Sequence, residues 1–457
     1  MNKASLERGL ARAIQRITSS ALGPYQSAVI RIGFSATYLL FLLREIPNRH
    51  EMYGPEAPWH WDMAQRLISG NQAFTALMWS DSTAWFEIVY AVAVLSAALL
   101  MVGWRTRAVS VLFMAGVLSL QNRSIFMGDG GDNVIHLMAI YLVLTRCGQV
   151  WSLDARRAAR TARAARAAVL PRSAGVEAPV REGASEGAPT GPGALAGSPI
   201  GPGTSAGVPG SDPVRPVRRD VIGPALWGAL GLVLIAATLT SGLGGTWWFP
   251  TLLWVLWAGH GLWWIVNRRA PQGEVRTLLD VLANLVHNAT LAVIMAEVCL
   301  IYATAGWYKI QGSRWQDGTA LYYPLNLDYF TPWPALSDVL ASSGLIVMLV
   351  SYGTVIVQVA FPFTLFNRRV KNVLIVAMIC EHAGIALLLG LPFFSMAMIA
   401  ADSVFLPTAF LVWLGDRVSL GWRLLLGREV DVPGQRRSAE VEEAPQRSRG
   451  EGHTLVG

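Results

Sequence analysis

The sequence predicts an all-α fold: a polytopic integral membrane helix bundle with about ten transmembrane helices. Three observations predict it. Charged residues are 15% of the 457-residue chain, whereas an ordinary soluble domain carries about 25%. The mean hydropathy is +0.40 and 18 tryptophans accompany the aliphatic excess, more apolar surface than a soluble protein of this size hides in its interior. Basic residues, finally, recur in every second loop between apolar stretches, as in loops retained on the cytoplasmic side. The same facts exclude other classes. The chain is too apolar for a disordered protein and has no glycine repeat. Its three scattered cysteines, Cys147, Cys299 and Cys380, lack the spacing of a disulfide framework or a metal site. The net charge of +7 sits in loops beside the apolar runs, so its partner is the lipid bilayer and not nucleic acid.

The elements follow in order. Residues 1–25 form an amphipathic cytoplasmic segment, with Leu6, Leu10, Ile14 and Ile17 on a helical face opposite Arg8, Arg12 and Arg16. That spacing fits a helix on the inner membrane surface or a solvated tail, and its apolar residues are too dispersed for a secretory signal. A span needs about 20 apolar residues, or about 17 in thin or buried places. Four stretches qualify in a first membrane region over 26–151: 26–43, 84–102, 107–122 and 132–147. Two more, 222–241 and 247–266, make an additional helix pair over 222–276. A second region over 277–416 holds 285–305, 343–365, 371–390 and 394–414.

Residues 152–221 read as a cytoplasmic linker. Arg156, Arg157, Arg160, Arg163 and Arg166 among alanines suit a short basic helix against anionic lipid. The Gly/Pro/Ser/Ala tract beyond them cannot bury enough surface to order itself. Residues 417–457 read as a disordered cytoplasmic tail. Orientation comes from the basic loops. Lys3 and three arginines precede the first span, and Arg105 and Arg107 follow the second. Arg268, Arg269 and Arg276 follow the sixth, Arg368, Arg369 and Lys371 the eighth, and Arg417 and Arg423 the tenth. This alternation puts both termini in the cytoplasm of a multi-pass plasma-membrane protein.

Ionisable side chains within spans are costly, so each is a functional candidate, weighed against a buried residue that only ties helices together. Three groups stand out. Asp129, Asp132, Asn133 and His136 open the fourth span in GDGGDNVIHL. They suit a helix cap and turn, or a place for a cation or an oriented base; as metal ligands they are a weak set. The second group ends the seventh span in YATAGWYKIQGSRWQDG, residues 302–318. Ala305 and Gly306 permit close helix contact there, and Lys309 follows. Within an aromatic belt of Trp307, Tyr308, Trp315, Tyr322 and Tyr323, Lys309 would snorkel to the interface. In a dry pocket it would lose its proton readily and act as a base or nucleophile. The third group is Glu381 and His382 of the ninth span with Asp402 of the tenth, and Glu297 as a further candidate. A histidine beside a carboxylate makes a proton relay or a satisfied core residue. Arg31 of the first span is a candidate to pair with one of these acids.

Taken in order, five segments resemble the horizontally transferred transmembrane (HTTM) family: YGPEA (53–57), DGGDNVIHL (129–137), WSLDARR (151–157), YATAGWYKIQGSRWQDG (302–318) and EHAGIALLLGL (381–391). That family includes the membrane region of vitamin K-dependent gamma-glutamyl carboxylase and the sporulation-delaying toxin maturation membrane proteins. The resemblance implies a lysine base. Lys309 matches the carboxylase lysine, and Trp315 and Gly318 match its Trp-x-x-Gly turn, one residue further along. Asn133 matches the asparagine of an Asn-His pair, with His136 three residues on where the family has an adjacent histidine, and His382 resembles a histidine of a later helix. By the same resemblance Trp307, Trp315 and Gly318 would bind the cofactor, a membrane quinol. The chain departs from the carboxylase in having a short tail where the latter has a large lumenal region, and beyond the WSLDARR segment residues 152–276 have no counterpart in the family.

The expectation is a quinol-dependent, carboxylase-like enzyme of lyase or ligase chemistry acting at the outer membrane face. The alternative is a non-enzymatic membrane protein that assists maturation, export or immunity of a secreted peptide. A transporter ranks third, because the sequence offers no pair of broken helices.

Overall fold

The computed structural model describes residues 3–169, 221–244 and 246–426. The Gly/Pro/Ser/Ala tract of the linker and residues 427–457 of the tail lie outside the described residues. Among the described residues the regular structure is entirely helical. The first region holds α1 (Lys3–Ser19), α2 (Pro24–Arg44), the single turn α3 (Arg49–Met52), α4 (Trp61–Asn71), α5 (Thr83–Val102), α6 (Thr106–Arg123), α7 (Gly130–Leu144) and the arginine-rich α8 (Leu153–Val169). The added pair is α9 (Ile222–Leu239) and α10 (Trp248–Arg269). The second region begins with α11 (Glu274–Gln311), α12 (Ser313–Gln316), α13 (Tyr322–Leu325) and α14 (Pro334–Ala341). It ends with α15 (Gly344–Ala360), α16 (Arg368–Leu388), α17 (Pro392–Asp402) and α18 (Thr408–Leu425).

Among the described residues seven helices are long and apolar enough to cross a membrane: α2, α5, α9, α10, α11, α15 with its one-turn extension to Thr364, and α16. The protein is a helical membrane protein. α7 and α17 are shorter apolar helices, and α6 is an 18-residue helix with Arg107, Gln121, Asn122 and Arg123 near its ends.

Two boundaries read from the sequence are corrected. Residues 394–414 are not one span. α17 stops at Asp402, one 3-10 turn covers Ser403–Phe405, and Leu406 is extended at ψ 139 before α18 starts. Pro407 is the cause, since it has no N–H to donate and its ring drives the preceding residue out of the helical region. The tail, in turn, is helical through Leu425. Arg417 and Arg423 there sit among Val418, Leu420, Trp422 and Leu424, with no proline to break the helix.

α2 lies at the centre, packed on α5, α7 and α17, while α5 packs on α6, α6 on α7, α11 on α15 and α16 on α17. Phe34, Phe113, Met138 and Ile294 are fully buried in this core. So is Arg31, and it meets no acid among the described residues. Its Nε donates to Cys147 O at 3.1 Å, Nη1 to the carbonyls of Leu100 and, at 2.7 Å, Met101, and Nη2 to Trp151 O at 2.7 Å. Leu100 and Met101 are in the last turn of α5, whose carbonyls lack intrahelical partners and carry the negative end of the helix dipole. A guanidinium with five fixed donors is satisfied by such a carbonyl cage, which is why no carboxylate is needed. Gly103 (φ 71) turns the chain at this point, and a Cβ there would lie 2.3 Å from Ser152 Cβ.

α11 is 38 residues long, about 57 Å at 1.5 Å per residue, against a hydrocarbon core of about 30 Å. Its first half docks α1. Asn284 Nδ2 donates to Thr18 O at 2.9 Å, and Asn288 Nδ2 to Ile17 O at 2.9 Å and Ser20 O at 3.0 Å. Asn288 Oδ1 accepts from Leu22 N at 2.7 Å, and His287 Nε2 lies 2.8 Å from Leu22 O. These bonds satisfy carbonyls that end α1 and would otherwise be orphaned. The segment is therefore tethered, and its Leu6, Leu10 and Ile14 stripe stays exposed, as in a helix lying in a membrane interface.

The α9–α10 hairpin is held by a reciprocal clasp. The Trp227 and Trp257 rings stack at 4.2 Å with an interplanar angle of 11°, and each indole N–H donates to the other's backbone carbonyl at 3.0 Å. Gly231 lets the rings close, for a Cβ there would lie 2.7 Å from Trp257 Nε1, whereas a Cβ at Gly228 meets nothing. Gly231→Val is expected to lower the melting temperature of the detergent-purified protein, by an overpacking cost of about 1–3 kcal/mol. Gly228→Val serves as the control for helix propensity. Equal melting curves for the two variants would show that the clasp does not hold the pair.

Candidate functional site

Tyr302 and Lys309 lie seven residues apart on α11, two turns along one face. Between them, Gly306 allows α15 to approach closely: a Cβ there would stand 2.6 Å from Val359 Cγ2. That approach delivers the neighbouring Gln358, itself buried. Lys309 Nζ donates to Gln358 Oε1 at 2.7 Å, and Gln358 Nε2 donates to Glu381 Oε1 at 2.6 Å. One amide thus links the lysine of α11 to the carboxyl of α16, and among the described residues no carboxylate touches the amine.

The chain after α11 folds back over the lysine. Gly312 turns it, α12 follows, and the Trp315 ring centroid lies 5.2 Å from Lys309 Nζ, within the range of a cation–π contact. Gly318 (φ 73) closes the turn against Met348 and Tyr352, and Tyr352 Oη donates to Gln316 O at 2.8 Å. Asp317 accepts from Thr319 N at 3.0 Å and from the Thr319 hydroxyl. Chiefly through that hydroxyl, the Asp317 carboxyl is held below the usual carboxylate range. Trp307 is not part of this arrangement: it is 61% exposed on the outer surface of α11.

Two turns earlier on α11, Tyr302 Oη lies 2.9 Å from His382 Nε2 and 2.9 and 3.0 Å from the two carboxyl oxygens of Asp402. All three residues are buried. The hydroxyl has one proton to give, and if Asp402 takes it, His382 must donate from Nε2. His382 Nδ1 is then a bare acceptor, and it finds no hydrogen-bond partner among the described residues. The edge of Phe394 stands over this histidine at 5.5 Å.

Asp129, Asp132, Asn133 and His136 assemble elsewhere, at the start of α7. Asp129 is the N-cap: Oδ1 accepts from Gly131 N at 2.7 Å and Asp132 N at 3.1 Å, and Asp132 Oδ2 accepts from Asp129 N at 2.9 Å. This reciprocal pair is a capping box. His136 Nδ1 lies 3.2 Å from Gln121 Oε1, and Asn133 is exposed. Gly131 brings α7 against α17, since a Cβ there would lie 2.8 Å from Phe394 Cα. Phe394 therefore stands between the DGGD turn and His382.

Of the residues singled out from the sequence, Lys309, Glu381, Trp315 and Gly318 come together, and His382 joins Asp402. Tyr302 and Gln358 were missed, and both are neutral. Tyr302 had a signal, its seven-residue spacing from Lys309. Gln358 is the lone amide in the apolar run of α15. Among the described residues no group of three or more His, Cys, Asp or Glu is placed to hold a metal ion. Chemically, a lysine bonded to a neutral amide can lose and regain a proton without breaking an ion pair, and a carboxyl waits one amide away. Compared with models of known families, with curated proteins and with solved structures, the chain matches none.

Proposed function

We propose that the chain is an HTTM-like membrane enzyme in which Lys309 is the proton acceptor for a membrane quinol. The observation that carries this reading is the Lys309–Gln358–Glu381 chain, which holds the amine by an amide oxygen at 2.7 Å and keeps the carboxyl off it. A carboxylate in direct contact would hold the proton on the lysine. The residues present fit a hydroquinone: Trp315 offers an aromatic face 5.2 Å from the amine, and Lys309 offers a nitrogen that accepts from a hydroxyl. When bound, such a group supplies reducing equivalents and, after ionisation, a route to a strong base. In this reading Lys309 takes the hydroxyl proton, Gln358 Oε1 holds the ammonium so formed, and Glu381 supports it through the amide. The test is oxygen-dependent quinol oxidation by purified protein in proteoliposomes, wild type against Lys309→Arg. Wild-type turnover above protein-free vesicles, lost in the variant, is expected; no turnover in wild type overturns the reading.

A second reading is favoured by one observation. Ile125, Phe126 and Met127, next to the capped start of α7, are 51, 66 and 51% exposed. An apolar patch of this kind suits contact with a secreted peptide, as a non-enzymatic maturation or export factor would need.

The reading includes ten crossings, the tenth made by α17 and α18 together across the break at Pro407, with both termini in the cytoplasm and the Lys309 site at the outer face, argued from the basic loops. A membrane-impermeant maleimide applied to intact cells is expected to label Gln316→Cys and to spare Arg160→Cys in a cysteine-free background. The reverse pattern would invert the topology.

A further inference from the structure

The α9–α10 hairpin meets the rest of the bundle at its two ends. At one end Trp79 Nε1 donates to Gly242 O at 2.8 Å and Phe74 packs on Phe249 at 4.9 Å. At the other, the Trp263 ring carries Arg276 at 4.3 Å, Arg107 at 4.5 Å and Arg146 at 5.9 Å. Between these contacts lies a cavity of about 1130 Å³ whose walls include Val111, Leu112 and Ala115 of α6, Leu230 and Val233 of α9 and Leu256 of α10. Ordinary small-molecule pockets run to roughly 300–1,000 Å³, so the space suits a long-chain molecule.

The cavity is graded. Arg107, Arg146, Arg157 and His260 lie at one end, and apolar residues continue along α6 as far as Ser119. From Arg107 to Ser119 is about 18 Å at 1.5 Å per residue, close to half of the roughly 30 Å hydrocarbon core, the depth of one leaflet. The acids near the basic end are already engaged. Asp154 accepts from the backbone N–H groups of Arg105 and Thr106 at 2.9 and 2.7 Å. Asp280 takes Arg276 and, at 3.4 Å, Arg146. Arg107 stacks on Trp263 and has no carboxylate within ion-pair range among the described residues.

We infer that this cavity binds one anionic phospholipid, with its phosphate at Arg107 and its acyl chains along α6. Any acyl chain satisfies the apolar walls. The unmatched arginine decides the headgroup, because a zwitterionic lipid brings a cation to a site already rich in positive charge.

Native mass spectrometry of the full chain, freed from detergent after exposure to phosphatidylglycerol or phosphatidylcholine of identical chains, tests this. Wild type is expected to retain one phosphatidylglycerol with a preference of about fivefold or more, the scale of one arginine acting on an anionic lipid. Arg107→Gln should bring the two lipids to near parity. Ala115→Phe, which fills the cavity away from the charge, should weaken retention of both. Equal retention by wild type overturns the inference, as does an unchanged preference in folded Arg107→Gln. Displacement of the lipid by millimolar inorganic phosphate, or full retention in folded Ala115→Phe, would also overturn it, because the chains would then have no part in binding.

Discussion

Lys309→Arg is expected to reduce quinol oxidation by about 100-fold or more, the lower range for removing a general base, while the yield of folded protein stays constant. Arginine keeps the charge and approximates the length, and its guanidinium can still donate to Gln358 Oε1, where Lys309 donates at 2.7 Å. It cannot give up its proton near neutral pH. A lysine serving only as a helix tie would accept the change almost silently. Gln358→Glu sharpens the contrast. A carboxylate placed on the amine keeps the lysine protonated and also meets Glu381, to which Gln358 Nε2 donates at 2.6 Å, so the two acids must share one proton and the enzyme reading expects loss of rate. The helix-tie reading expects an unchanged rate per folded molecule. Turnover per folded molecule, normalised to the monodisperse chromatographic peak, is the quantity to compare. A wild-type rate in either well-folded variant would remove Lys309 from the chemistry.

Arg31→Met is expected to prevent accumulation of folded protein. The carbonyls of Met101, Cys147 and Trp151 take their hydrogen bond from this one guanidinium, and Leu100 O accepts from it and from Gly103 N at 3.0 Å. Each buried polar group left without a partner costs about 1–3 kcal/mol, and the loss falls on the end of α5 and on the 147–151 turn at once. Arg31→Lys should be intermediate, since an ammonium has three donors on one atom and cannot span the same cage. The measurement is fluorescence-detected size-exclusion chromatography of a tagged chain, followed by a melting curve for whatever is monodisperse. A wild-type peak and melting temperature in Arg31→Met would mean that water or rearranged backbone satisfies these carbonyls.

Hydropathy and loop charge made the helical membrane character legible, because lipid imposes one strong rule on every spanning segment. The cap at the start of α7 was legible as well, since Asp129 and Asp132 have the spacing of a reciprocal cap. The break at Pro407 was present in the letters and lost in a window that averages across it. The partners of Arg31 were invisible for a different reason: every residue owns a carbonyl, so nothing in the sequence marks the four that converge. The site was half legible. Lys309, Trp315 and Gly318 lie close in sequence, so their meeting follows from local chain geometry. Gln358 and Tyr302 are neutral and reach the site through helix packing, and only the backbone approach at Gly306 explains why α15 stands near enough to supply the amide.

The docking of α1 onto α11 has a consequence for the order of events during synthesis. Leu22 N and its acceptor Asn288 Oδ1 are 266 residues apart. At a ribosomal rate of about 5–20 residues per second, the first helix emerges on the order of 10–50 s before its partner exists. Throughout that interval the closing carbonyls of α1 have only water or lipid headgroups to bond, and its apolar stripe has the interface to rest on. The amphipathic character of α1 therefore serves the nascent chain before it serves the finished one: it parks the N-terminus at the membrane surface until the asparagines of α11 arrive to fasten it.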